Sequence, residues 1–103
     1  MHKFNMRKYT AQDGLDLLKM GNIQLPENEK PEFEEQFNKL FGPKTRYNSF
    51  AAAVEDIYCN ILPFRDKKYE GNEFSEMARR YKTFKINVIR SGLAKGYEEQ
   101  LVA

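Results

Sequence analysis

One histidine and one cysteine are all this 103-residue chain offers to the commonest nucleophilic and metal chemistry. A Ser–His or Cys–His pair needs a positioned base, and His2 sits at a chain end. A structural zinc site needs several Cys or His ligands, so no metal is expected. Cys59 has no second cysteine to pair with, which fits a reducing compartment. Its neighbours Ile57, Tyr58 and Ile61 make it a small buried hydrophobe in expectation. Tryptophan is absent, so Phe and Tyr must fill the core. No glycine pattern of the phosphate-binding kind precedes a helix. The acids Glu27, Glu29, Glu32, Glu34 and Glu35 do not follow calcium-loop spacing. No cofactor is therefore expected. No apolar run approaches the roughly 20 residues of a membrane span, and the basic start of the chain has no apolar segment of signal-peptide length. A soluble, cytoplasmic protein is the expectation.

What remains is enough for one domain spanning 1–103 with frayed ends at 1–9 and 97–103. Leu, Ile, Val and Phe make up 24 residues. That share exceeds the roughly 20% below which disorder is expected. The charge of +2 is nearly balanced, and alone it does not argue for a nucleic-acid coat. The distribution is more telling, with acids gathered at 27–35 and bases at 77–95.

The pattern predicts an all-α, compact bundle of about four helices. Thr10 caps the first, with Asp13 at the positive end of its dipole. Leu15, Leu17, Leu18 and Met20 supply its apolar side, and Gly21 ends it as a left-handed cap. Gly14 inside costs about 1 kcal/mol against alanine. Pro31 suits the first turn of the second helix, where Phe33, Phe37, Leu40 and Phe41 share a face. Gly42 and Pro43 end it. Asn48 or Ser49 caps the third, whose Phe50, Ala53, Val54, Ile57 and Ile61 repeat at helical spacing; Pro63 closes it. Asn72 caps the last, with Glu73 and Glu76 behind it. The expected core is Leu15, Leu18, Phe33, Phe37, Leu40, Phe41, Phe50, Val54, Ile57, Ile61, Phe74, Met77, Tyr81 and Phe84. Phe84, Ile86 and Val88 also alternate with Lys85 and Asn87, the period of a strand. The alternative is thus an α+β fold with a small two-stranded pairing of the N-terminal segment (Phe4, Met6) with residues 83–90. Gly92 and Gly96 break the last helix.

Nineteen residues from Met77 to Lys95 contain no acid and six cations, interleaved with Tyr81, Phe84, Ile86, Val88, Ile89 and Leu93. On a helix the segment divides into a core side and a basic face. The simplest account is an amphipathic helix whose cations solvate its outer side. The missing acids and the second apolar line argue for more, since surface helices ordinarily interleave signs. A partner-binding site is expected at Arg79, Arg80, Lys82, Ile86, Arg90 and Leu93, with Lys44, Arg46, Lys67 and Lys68 as an extension. The function expected is a small non-enzymatic binding protein of the inhibitor or accessory-subunit type. It would dock on an acidic surface of a protein partner, one that itself handles nucleic acid in one version. Direct DNA or RNA binding through the same face is the alternative. The loop between the third and fourth helices is too long for a helix-turn-helix. An enzyme without a recognisable motif comes third, and a two-sided helix also suits a homodimer.

Overall fold

The computed structural model describes residues 9–40, 47, 49–65 and 67–94. They form four helical rods and, among the described residues, no strand. The first is α1 (Ala11–Met20). A 3-10 turn (Glu27–Glu29) leads into α2 (Lys30–Leu40). The third rod joins α3 (Phe50–Asp56), a π turn (Ile57–Ile61) and α4 (Leu62–Arg65). A second 3-10 turn (Lys67–Tyr69) precedes α5 (Glu73–Phe84), which continues through a π turn (Lys85–Ile89). Residues 83–89 are therefore helical and Arg90 is in a turn, and the strand alternative is overturned there. Phe4 and Met6 lie outside the described residues, as do Phe41, Gly42, Pro43, Asn48, Gly96 and the end segments 1–8 and 97–103.

Local chemistry accounts for most of the boundaries. Thr10 and Asp13 form a reciprocal capping box, each backbone N–H donating to the other's side chain at 2.9 and 3.2 Å. Two of the orphan donors at the helix start are satisfied this way. Ser49 Oγ accepts from the Ala52 N–H at 2.9 Å. Asn72, by contrast, makes no side-chain capping bond.

Gly21 differs from its expected role. Its φ is −84°, and Asn22 takes the left-handed conformation at φ 61°. Asn22 N–H donates to Lys19 O and Ile23 N–H to Leu18 O, at 2.9 and 2.8 Å, the paired bonds of a Schellman close. Asparagine tolerates this conformation better than most residues. Gly21 is glycine for a packing reason: a Cβ there would stand 2.5 Å from Val88 Cγ2. Gly14 is likewise a contact point, since its Cβ would meet the Phe33 ring at 2.9 Å and Val54 Cγ2 at 3.4 Å. The missing side chain lets α1 approach α2 and α3.

Pro63 does not close the third helix. It is buried within α4, directly after the π turn, where Leu62 N–H donates to Ile57 O five residues back. Proline has no N–H to give and crowds the carbonyl four residues before it. The wide turn is where the rod accommodates that defect. The second π turn ends in another Schellman pair, Gly92 N–H to Ile89 O and Leu93 N–H to Val88 O, with Gly92 at φ 85°.

Phe33, Phe37, Phe50, Val54, Ile57 and Phe84 are fully buried, joined by Leu17, Leu18, Leu62 and Val88. Phe37 meets Phe50 edge-on at 5.9 Å, and Tyr9 stacks on Phe50 at 4.3 Å. Leu15, Leu40, Ile61 and Tyr81 pack on this core while partly exposed. Met77 is half-buried. Phe74 departs from expectation outright: it is 72% exposed. Its register continues the core stripe of α5, but the ring it meets there, Phe64, is itself exposed.

Candidate docking face on the last helix

The basic segment spans most of α5 and the π turn after it, and the structure sorts its cations into different environments. Arg80 is the main correction. It is 1% exposed, the largest fully buried side chain among the described residues, and does not belong to the basic surface. Its Nε donates to Glu76 Oε2 and one terminal nitrogen to Glu29 Oε2, both at 2.8 Å. Further bonds reach Tyr58 O at 3.1 Å and the Tyr69 hydroxyl at 3.2 Å. The guanidinium also lies over the rings of Tyr58 and Tyr69, 4.8 and 5.2 Å from their centroids. Burial by itself would lower its pKa, but the hydrogen bonds it donates to Glu29 and Glu76 outweigh it and hold the group above its ordinary value. Arginine's planar fork suits such a site, giving edge-on bonds and facial stacking at once.

Glu29 is also 1% exposed. It stands in the 3-10 turn before α2, so the pair fixes the 22–30 connector to α5. Glu29 Oε1 has no hydrogen-bond partner among the described residues. Glu76, one turn before Arg80, serves two arginines. Arg79 Nε donates to its Oε1 at 3.0 Å, and that bond, first among several causes, holds the Glu76 carboxyl below its ordinary value. The same bond raises the pKa of Arg79. The acid-free run is therefore not charge-unrelieved. Its balancing acids lie just before it and 51 residues away.

The outer side of α5 and of the segment after it keeps Arg79, Lys82, Lys85 and Arg90, all exposed. Lys85 Nζ lies 5.5 Å from the Tyr81 ring centroid. Beside them Ile86 and Ile89 are 47% and 43% exposed. Leu93 instead packs on the core. Of the residues expected in the site, Arg79, Lys82, Ile86 and Arg90 are exposed, with Lys85 and Ile89 beside them, while Arg80 is interior and Leu93 is only partly exposed. Lys67 and Lys68 are exposed on the turn before α5, Lys68 lying 5.6 Å from the Tyr69 ring centroid. Lys44 and Arg46 lie outside the described residues.

An exposed aromatic pair was not anticipated. Phe64 at the end of the third rod meets Phe74 edge-on at 5.4 Å, and both are exposed. The third rod and α5 also share a half-buried polar chain. Tyr47 Oη donates to Asp56, and Asn60 Nδ2 donates to Asp56 Oδ1 at 2.8 Å and to Tyr81 Oη at 2.7 Å. Nearby, burial raises the Glu55 carboxyl and pushes the Cys59 thiol up to about 12. Cys59 is therefore a buried neutral thiol at physiological pH, not a nucleophile.

A groove of about 690 Å³ separates α1 from the connector and α2, over Leu15, Leu18, Ile23 and Leu25. Its rim mixes Asp16 and Glu34 with Lys19, and Lys30 is bonded to Glu27 at 2.8 Å, so no ligand chemistry is singled out. Among the described residues no cluster of His, Cys, Asp and Glu is suited to a metal ion, and no helix is long and apolar enough to cross a membrane. Compared with family models, curated proteins and solved structures, the chain matches none.

Proposed function

We propose that this is a cytoplasmic, non-enzymatic binding protein, of the inhibitor or accessory-subunit type. It docks through the outer side of α5 on a protein partner with an acidic surface. One observation carries the reading: Ile86 and Ile89 stand exposed side by side among Lys82, Lys85 and Arg90. Aliphatic side chains in that setting supply an anchor whose burial stabilises a complex, at roughly 25 cal/mol per Å² of apolar area removed from water. The surrounding cations steer approach and select an acidic partner. The buried Arg80 cluster supports the reading from beneath. It fixes α5 to the connector and the third rod, so the face is presented on a rigid element and little ordering entropy opposes binding.

Affinity capture from the native host tests this, using the wild type and a Lys82→Glu, Arg90→Glu double variant. Both side chains are exposed, so the fold should survive. Capture of a specific protein, resistant to nuclease and lost in the double variant, is the expected result. Equal capture by both forms would remove the site from consideration. Capture abolished by nuclease would point to nucleic acid instead.

A further inference from the structure

The exposed residues of α5 and the π turn after it follow a line. Phe74, Ala78, Lys82, Lys85 and Ile89 are all exposed and succeed one another at spacings of four, four, three and four. From Phe74 to Lys85 side chains at those intervals stack along one side of the α-helix, about 16 Å at 1.5 Å per residue, and Ile89 follows at the end of the π turn. Its ends are apolar and its middle is cationic. At one end Phe74 is buttressed edge-on by Phe64; at the other, Ile89 is joined by Ile86. Near one end Ala78 offers no bulk, so a second rod could approach closely there.

We infer that the partner presents an acidic amphipathic helix of about four turns, which lies along α5 with apolar residues at both ends and carboxylates over Lys82 and Lys85. This rests on the docking reading above and names the form the partner takes. A flat acidic surface would not call for apolar anchors at both ends of a cationic line that runs more than about 16 Å along a helix. A helix does, because its own side chains repeat at the same three- and four-residue spacing, and small residues allow interaxial distances near 8 Å. A single strand of nucleic acid can stack on Phe74 and Phe64 at one end of the line, but Ile86 and Ile89 at the other end give bases no π surface. The charges agree with the inference: the line carries two lysines and no acid, and Arg79 beside it is already held by Glu76.

The test uses the full chain and a fluorescein-labelled peptide of about 18 residues. Its leucines repeat at four- and three-residue spacing, and its other positions are glutamate and alanine. A second peptide has the same composition in scrambled order, and a labelled single-stranded oligonucleotide serves as a third probe. Anisotropy titration should give a dissociation constant on the order of micromolar for the patterned peptide. Phe74→Ala and Ile89→Ala should each weaken it about tenfold. Equal binding of the scrambled peptide, indifference to Phe74→Ala, or tighter binding of the oligonucleotide would each overturn the inference. Failure here is separable from failure of the docking reading. If the patterned peptide does not bind while Lys82→Glu with Arg90→Glu still abolishes partner capture, the face stands and the helical partner falls. If charge reversal leaves capture unchanged, the docking reading itself fails.

Discussion

Replacing Glu29 with glutamine removes one charge from a pair in which both side chains are 1% exposed. The two residues are nearly the same size, so packing changes little. The lost interaction is the attraction between Arg80 and a carboxylate 2.8 Å away, in surroundings where water cannot replace it. Glu29 Oε1 has no partner among the described residues, so a glutamine amide has two poor choices. It can turn its NH₂ toward a guanidinium, or leave a buried donor unpaired. Removing one partner of a buried pair costs about 3–5 kcal/mol. Arg80 keeps Glu76, Tyr58 O and the Tyr69 hydroxyl, which places the expected loss near 3 kcal/mol, the low end of that range. For a domain with a total stability of about 5–15 kcal/mol, that is a large fraction. Urea unfolding followed by far-UV circular dichroism should show a midpoint lower by about 1–3 M. A loss below about 1 kcal/mol for Glu29→Gln is what an exposed salt bridge gives, and it would refute the buried-cluster account.

Gly21→Ala should destabilise the fold, although alanine ordinarily favours a helix over glycine by about 1 kcal/mol. The new methyl would fall 2.5 Å from Val88 Cγ2, and overpacking of this kind costs about 1–3 kcal/mol. Thermal melts should show the loss and its partial rescue by Val88→Ala; a gain in stability would contradict the close approach of α1 to the π turn after α5. The pH dependence should carry the mark of Glu76. Its folded pKa is depressed, so its contribution is present above the unfolded value, near the ordinary 4.5, and is lost as pH falls through the folded value. Urea midpoints measured downward from pH 5 should fall more steeply for the wild type than for Glu76→Gln. Parallel curves would show that Glu76 is not held by Arg79 and Arg80.

Much of the fold is legible in the sequence because its signals are local. The Thr10–Asp13 box, the Ser49 cap and the spacing of Phe33 and Phe37 lie within a few residues of one another, and each element forms where those signals place it. Two local features carry a different meaning. The glycines at 14 and 21 read as a propensity cost and a left-handed cap, while their purpose lies across the bundle, against Phe33 and Val88. Pro63 reads as a stop, because the π turn that lets it remain helical has no sequence signature. The site was less legible. Arg80 falls in a basic run beside Arg79 and looks equally exposed. Its burial depends on Glu29, 51 residues earlier, and no periodicity encodes that pairing. Glu76, one turn before Arg80, was the available signal, and it lies just outside the acid-free window. Phe74 matches the core stripe but not the core. Helical phase gives a direction around the axis, not whether the neighbour met there is itself covered, and Phe64, which Phe74 meets, is exposed too.

Hydroxyl-radical footprinting of the free chain and of its complex with the captured partner tests the central claim most directly. It reads the solvent access of individual side chains. In the free protein Ile86 and Ile89 should be labelled readily, with Leu93 labelled less and Val88 protected. In the complex Ile86 and Ile89 should become protected while exposed Met20, at the end of α1, stays labelled. Unchanged labelling of Ile86 and Ile89 on binding would contradict a docking face on α5.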